Sequence, residues 1–284
     1  MKREQHLQRR LHTLQALNEA VSAMKSLSAH HFLRCRQALS PARTYRDEIE
    51  QAMADIGVAQ AVDGETPPGL LLVVSDLGLC GDYNTQLVQV AEVAYRKREP
   101  GPIYCIGRRP RAALARAALQ PQRTYHVSAS VEGLPDLLLE VAQDLLDDYI
   151  QQHMSCLDVV SARFEGAGRF SPVLTRVLPV ESVRAAMPVR PTPYESADHL
   201  AAVAMREYLY TTLYDILLDA LASEHGMRLV AAESARQWIE ETSDAVRRQL
   251  AAIRREATTQ EVMDIVAGTR ARLQTRDGRV HSPV

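Results

Sequence analysis

The strongest candidates for chemistry in this sequence lie in a glycine-containing turn that follows a short apolar run. Residues 70–74 are all apolar, and Ser-Asp-Leu-Gly-Leu-Cys-Gly follows directly at 75–81. A strand that passes through such a turn into a helix can cradle a phosphate on its backbone N–H groups. The segment has neither the G-x-G-x-x-G spacing of dinucleotide sites nor a Gly-Lys-Ser/Thr triplet. A tight turn for close packing is therefore the favoured interpretation.

The four cysteines are the other candidates for chemistry. Cys80 lies four residues after Asp76, but no histidine near it in the sequence could serve as its base. Cys35, Cys105 and Cys156 are far from it and from one another, so no CxxC pair or zinc pattern forms. The spacing favours buried or free thiols in a reducing compartment. We therefore predict no catalytic, cofactor-binding or metal-ligating residue in this chain.

The elements that would position the turn alternate along the middle of the chain. Residues 70–74, 103–106 and 125–127 are typical of strands, whereas 84–98, 110–119 and 134–152 are typical of helices. This alternation predicts a mostly parallel α/β sheet, which is a Rossmann-like domain. Two further strand-like segments, 157–164 and 173–180, flank a glycine turn and predict an antiparallel edge.

Each end of the chain has the pattern of a long helix. Residues 1–40 contain neither Gly nor Pro, and apolar side chains recur every three or four positions from Leu7 to Leu27. The spacing predicts a helix of about 60 Å, which Pro41 is expected to kink or interrupt. Towards the other end, Ile239, Val246 and Ile253 repeat every seven residues.

These helices require a partner because of their length. One unbroken helix over 195–267 would measure about 110 Å, which no globular domain of this size can bury. Long helices with narrow apolar stripes need lateral packing, so we predict an antiparallel coiled coil of the two termini. The predicted organisation is a coiled-coil helix at 1–60, an α/β domain at 68–190, a second coiled-coil helix at 194–268 and a flexible basic tail at 269–284.

Composition and charge narrow the function classes. The chain has 284 residues, 46% hydrophobic and 24% charged, which is typical of a folded globular protein. No apolar run approaches the roughly 20 residues of a membrane-spanning helix, and no signal peptide is expected. Residues 1–46 carry nine basic against two acidic side chains, and 247–284 carry eight against four, although the net charge is −2. Basic ends around an acidic middle indicate partner surfaces or solvated helix faces.

Several motifs in chain order resemble the γ subunit of F-type ATP synthases. Val-Ser-Asp-Leu-Gly-Leu-Cys-Gly at 74–81 is similar to a signature of that family, and Cys-Ile-Gly-Arg-Arg at 105–109 resembles its next strand and turn. The most extensive similarity is Leu-Ala-Ser-Glu-His-Gly-Met-Arg-Leu-Val-Ala at 221–231. It continues through Thr-Thr-Gln-Glu at 258–261 to Gly268. The resemblance covers essentially the whole chain.

The resemblance implies a non-catalytic rotor shaft. In this family the terminal helices stand inside a ring of α and β subunits, which bind ATP, ADP and Mg²⁺ and perform the chemistry. The globular part meets the ε subunit and the membrane-embedded ring of c subunits. The implied location is the cytoplasmic face of a bacterial plasma membrane, as a peripheral part of the complex. Departures from the family pattern suggest a divergent, sodium-linked member as a hypothesis.

The resemblance also implies contact residues. Those expected at loops of the β subunits are Arg228, Arg255, Thr259, Met24 and Lys25, and those expected at the foot near the c ring are Tyr194 and Glu195. Arg228 could equally be a solvated helical arginine. At position 255 the family usually has Gln, so a cation replaces a neutral amide there. Met24 and Lys25 could equally be a seam residue and its exposed neighbour.

Two other function classes remain open from sequence. The first is a nucleotide-binding α/β enzyme with helical extensions, which titration with ATP and NAD would detect. The second is a DNA-binding coiled coil that uses the basic amino-terminal helix. The acidic middle and the lack of base-reading motifs weigh against nucleic acid as a partner.

Overall fold

The computed structural model describes residues 2–56, 66–127, 130–166, 168–180 and 195–277. The chain divides into two compact units. The central unit comprises Met24–Glu233, and the terminal helix pair comprises Met1–Ala23 together with Ser234–Val284. Two helices, α1 (Lys2–Ile56) and α5 (Ala197–Asp277), contribute residues to both units.

The central unit contains a five-stranded sheet. Its elements in chain order are β1 (Gly69–Val73), α2 (Tyr83–Arg96), β2 (Ile103–Ile106), α3 (Arg111–Arg116), β3 (Arg123–Tyr125), a 3₁₀ turn at Val131–Gly133, α4 (Leu134–Ile150), β4 (Leu157–Gly166) and β5 (Arg169–Leu178). The strand order is β3-β2-β1-β4-β5. The first four strands pair in parallel and β5 pairs antiparallel with β4. Both the mostly parallel sheet and its antiparallel edge are confirmed.

The sheet is covered on both faces, because β1 alternates its side chains between two apolar clusters. Leu71 and Val73 lie in the cluster that includes α4 and parts of α1 and α5. Leu70, Leu72 and Val74 lie in the opposite cluster with α2 and α3. Every residue of β1 is buried, as expected for a central parallel strand.

The predicted interruption at Pro41 is wrong, because α1 continues through it to Ile56. Proline removes one backbone hydrogen bond from a helix, but tertiary packing can outweigh that loss. Leu39 and Ala42, on either side of the proline, are buried in the core of the central unit. Arg43 and Arg46, one turn further on, pair with Asp215 of α5. These contacts hold the helical conformation on both sides of Pro41.

The terminal helix pair has its own apolar seam, which confirms the predicted coiled coil. The buried members are Leu7, Leu14, Ile239, Val246 and Leu250, with Leu11, Val21 and Ile253 packed against them. The Nε atom of Arg254 lies 2.9 Å from Oε1 of Glu4. This ion pair joins the start of α1 to a point late in α5, as antiparallel pairing requires.

α5 extends past Gly268 to Asp277, so the start of the segment expected to be a flexible tail is helical. The hydroxyl of Thr269 donates to the carbonyl of Ile265 at 2.8 Å, one turn earlier. No proline or glycine lies between Gly268 and Gly278, so nothing in the sequence stops the helix there. Residues 278–284 lie outside the described part of the chain. In the described part, every helix is too short or too polar to cross a bilayer.

Candidate functional site: a buried arginine and an exposed helix end

Arg228 is the largest fully buried side chain in the described structure, at 1% exposure. Its Nε donates to the carbonyl of Gly78 at 3.1 Å, and Nη1 lies 3.0 Å from Nδ1 of His225. Its Nη2 donates to Glu224. The guanidinium is enclosed and bonded within the central unit, so the alternative of a solvated helical arginine is wrong. The contact between Arg228 and a partner's loop stays a prediction.

The surroundings of Arg228 set the charge states of its neighbours. Burial raises the pKa of Glu224, and the adjacent guanidinium counteracts part of that rise. His31 of α1 stacks on His225 with ring centroids 5.2 Å apart. Burial, His30 and Arg228 lower the pKa of His31, although Glu132 acts in the opposite direction. This set of residues therefore favours one cation, Arg228, beside a neutral His31.

The glycine turn is held by hydrogen bonds within the central unit. The backbone N–H of Ser75 donates to Oδ1 of Asn84 at 3.0 Å, and Nδ2 of Asn84 donates to the Ser75 hydroxyl at 2.7 Å. That hydroxyl donates in turn to the carbonyl of Leu77 at 2.8 Å. Gly81 has a φ of +61°, in the region that glycine adopts without steric cost. Since Gly78 also accepts the bond from Arg228, the turn fastens β1 to α5.

The remaining predicted contact residues lie in two places. Arg255 and Thr259 are exposed in the terminal helix pair and stand one turn apart, with the Thr259 hydroxyl donating to the Arg255 carbonyl at 2.9 Å. In the central unit, Lys25 is paired with Glu233 at 2.6 Å and about half exposed. Met24 beside it is half-buried.

The two predicted foot residues are adjacent in sequence but only one is described. Glu195 is exposed and lies just before α5 begins. Tyr194 lies outside the described residues. The structure therefore brings Arg255 close to Thr259 and Lys25 close to Met24, and it does not bring Arg228 to any of these surfaces.

Sequence reasoning missed the partners of Arg228. Glu224 and Arg228 are four residues apart, which places them on one side of a helix. Apolar residues at 221, 222 and 229–231 flank this pair, and that pattern signals a charge pair facing a core. His31 gave no such signal, because its role depends on the packing of α1 against α5.

The end of α5 is the most exposed helical segment in the described chain. Residues 254–270 are all exposed. Four of them are large apolar residues between 45% and 68% exposed, namely Val262, Met263, Ile265 and Val266. An apolar surface of this kind on a helix that lacks lateral packing is typical of an interaction site.

Chemical sites of the usual kinds are not evident in the described ranges. Histidine, cysteine, aspartate and glutamate side chains there form no group of three or more that could hold a metal ion. The four cysteines are buried, and burial raises the pKa of Cys35 and of Cys105 to about 12. A thiol in that state is protonated at neutral pH and is a poor nucleophile.

Comparisons with known proteins agree with this arrangement. A family model described as ATP synthase matches residues 3–271. The ATP synthase gamma chain of Moorella thermoacetica is 28% identical over 279 residues, spanning 93% of this chain and 97% of that relative. The ATP synthase gamma chain of Saccharopolyspora erythraea is 28% identical over 295 residues, spanning 93% and 96%.

Solved structures share the fold. A chain from the Euglena gracilis mitochondrial ATP synthase (OSCP/F1/c-ring) has a TM-score of 0.69 at 13% identity, covering 100% of this chain and 97% of that one. A chain from the Tetrahymena thermophila mitochondrial ATP synthase (central stalk and c ring) has a TM-score of 0.58 at 18% identity, covering 76% and 99%. The fold is therefore the one that these ATP synthase chains share. The chain belongs to the ATP synthase family, among whose γ chains its relatives fall, and this confirms the resemblance seen in the motifs.

Proposed function

We propose that this chain is the central rotor shaft of an F-type ATP synthase. In that role it couples ion-driven rotation of a c ring to conformational change at catalytic sites in α and β subunits. Family membership, the γ-chain relatives and the stalk fold support the proposal. The chain itself performs no chemistry in this role, and its partners bind ATP, ADP and Mg²⁺.

The exposed end of α5 is the observation that carries the proposal. The pairing of α1 with α5 reaches the Arg254–Glu4 ion pair, and the following residues to 270 are exposed. An unsupported helix of this length is marginally stable in water, and its apolar residues add a further cost. Surrounding subunits that pack on Val262 and Ile265 would remove both penalties. A shaft enclosed by a ring of α and β subunits meets this requirement.

Arg255 and Thr259 are the leading candidates for contacts with β-subunit loops. Both lie in the exposed segment, and within the described part of the chain their side chains bond only to the helix's own backbone. A guanidinium at position 255 would attract an acidic loop over a longer range than a neutral amide could. Lys25 and Met24 are secondary candidates, since Lys25 is already paired with Glu233.

The central unit would form the foot of the shaft. Tyr194 and Glu195 would lie near the c ring, and the ε subunit would bind the central unit. The complex would be peripheral, at the cytoplasmic face of a bacterial plasma membrane. Sodium coupling is a subsidiary hypothesis, and ATP hydrolysis that does not respond to sodium would remove it.

Reconstitution with the α and β subunits encoded by neighbouring genes tests the proposal. We expect the chain to co-purify with them and to be required for their full ATPase turnover. Ile265→Asp should lower that turnover, because a charge would enter an apolar contact, whereas Glu140→Gln, at an exposed position of α4, should leave it unchanged. Failure to assemble would contradict the proposal. Saturable binding of ATP or NAD by the isolated chain would instead support an α/β enzyme.

A further inference from the structure

The central unit contains a polar cavity of about 430 Å³ whose walls come from four elements, α1, β4, β5 and α5. Four arginines and three carboxylates line it, which leaves an excess of one positive charge on the wall. The charged and polar residues of the wall include Arg43, Arg46, Arg163, Thr212, Asp215 and Asp219. The proposed rotor function uses none of them.

A network of ion pairs fixes one side of the cavity. Asp215 is 5% exposed and pairs with both Arg43 and Arg46 of α1. Arg43 also donates from Nη2 to Oδ2 of Asp219 at 2.7 Å. Arg43 thus bridges two buried carboxylates that lie one turn apart on α5. These ion pairs therefore join α1 to α5 on this side of the cavity.

Two buried oxygen atoms on this wall have no hydrogen-bond partner among the described residues. They are Oδ1 of Asp219 and Oγ1 of Thr212. Asp219 is 9% exposed and Thr212 is 7% exposed. Buried polar atoms are normally paired, so these two atoms call for a ligand or water in the cavity. Because Asp219 Oδ1 belongs to a carboxylate held by Arg43, it needs a hydrogen-bond donor.

Two cationic groups on the same cavity have unused donors. Nε of Arg46 is buried and makes no hydrogen bond, although it lies 3.4 Å from Oε1 of Glu50 as an ion pair. Arg163 is exposed, and no hydrogen bond or ion pair is found for its side chain in the described ranges. Burial raises the pKa of the Asp219 carboxyl, and the nearby charge of Arg163 lowers it by a smaller amount. An anionic molecule in the cavity would provide an acceptor for both groups.

We propose that this cavity binds inorganic phosphate. The occupant must offer negatively charged acceptors to Arg46 and Arg163 and a donor to Asp219 within one small molecule. At neutral pH inorganic phosphate has both, since it carries charged oxygens and at least one P–O–H group. Sulfate has no proton to donate, and a phosphate monoester has mostly lost its second proton at pH 7. The orphaned carboxylate oxygen of Asp219 thereby selects free phosphate over both.

Calorimetric titration of the isolated full-length chain tests this proposal. The ligands are inorganic phosphate, sulfate and glycerol 3-phosphate under identical salt conditions. We expect one phosphate per chain, and sulfate and the monoester at least tenfold weaker. Arg163→Gln should weaken phosphate binding about tenfold, because a charge-assisted hydrogen bond is lost. Arg111→Gln, an exposed arginine of α3, is the matched control and should change nothing.

Asp219→Asn is the selectivity test. Its amide can donate to any oxyanion, so the preference for phosphate over sulfate should disappear. If this variant does not fold, Arg163→Gln and the three-ligand comparison still decide the matter. If binding is only that of an adventitious ion, phosphate and sulfate will bind with equal affinity, and Arg163→Gln will bind phosphate as well as Arg111→Gln does. That result would overturn the proposal. Absence of phosphate binding would also overturn it. No partner subunit is involved, so failure here leaves the rotor proposal intact.

Discussion

Removing the guanidinium of Arg228 should destabilise the isolated chain severely. Arg228→Ala deletes the partner of Glu224, whose side chain is 6% exposed, and also the bond to the Gly78 carbonyl. Breaking a buried ion pair on one side typically costs about 3–5 kcal/mol, because an uncompensated charge stays buried. Domains are commonly stable by only about 5–15 kcal/mol, so the loss would be a large share of the total.

Urea unfolding of matched variants measures this cost. Arg247→Ala is the control, because Arg247 forms an exposed i,i+3 pair with Asp244 that should contribute at most about 1 kcal/mol. The double variant Arg228→Met with Glu224→Gln removes both charges at similar volume. We expect it to recover most of the lost free energy of unfolding, since no buried charge remains.

The deficit of Arg228→Ala should also depend on pH. Folding raises the pKa of Glu224, so the stability linked to its protonated form is lost as pH rises through that raised value. Without Arg228 the pKa rises further, and the deficit is therefore greatest at neutral pH. It should shrink as pH falls towards about 4.3, where an unfolded glutamate takes up its proton. Loss of Arg228 also eases protonation of His31, which acts in the same direction.

Two results would refute this reasoning. The first is a loss below about 1 kcal/mol for Arg228→Ala, which would mean that the side chain is solvated or turned towards a partner. The second is a double variant that is no more stable than Arg228→Ala alone, which would remove the coupling between the two charges.

Three further predictions concern other parts of the chain. Leu14, in the seam of the terminal helix pair, is 4% exposed, so Leu14→Ala should lower the free energy of unfolding by about 2–5 kcal/mol. Amide exchange in the amino-terminal helix should become faster, and unchanged exchange would argue against the seam. Lys25→Ala should cost no more than about 1 kcal/mol, because its pair with Glu233 is 43% and 45% exposed, and a larger loss on urea unfolding would contradict that view. Since burial raises the pKa of Cys35 and Cys105 to about 12, iodoacetamide should label them only as fast as the chain unfolds, and rapid labelling of the native chain would disprove their burial.

Periodicity predicted most of the fold because each element has a strong local signal. The apolar run at 70–74 and the alternation that follows it were enough to predict the parallel sheet and its antiparallel edge. The spacings of three and four at the amino-terminal end and the seven-residue repeat at the other end predicted the paired helices. The continuity of α1 through Pro41 was not predictable, since it depends on ion pairs to Asp215, a residue 174 positions away.

The candidate site was harder to predict from the sequence than the fold. Residues such as Thr259 are exposed because α1 ends its pairing near Arg254, and that follows from the helix register. The neighbours of Arg228 indicate a charge pair that faces a core, but its bond to the carbonyl of Gly78 could not be predicted, because Gly78 lies in a different part of the chain. Charged residues in a helix are usually predicted to be exposed, and the buried exceptions become visible only in the tertiary packing.

Direct observation of rotation tests the central claim most directly. Because the native cysteines are buried, a thiol introduced by Glu140→Cys at an exposed position of α4 can carry a biotin-linked probe. The complex with its α and β subunits is then fixed to a surface through those subunits and supplied with ATP. We predict that the probe turns continuously in one direction. A complex that hydrolyses ATP at full rate while the probe on this chain stays in place would contradict the account.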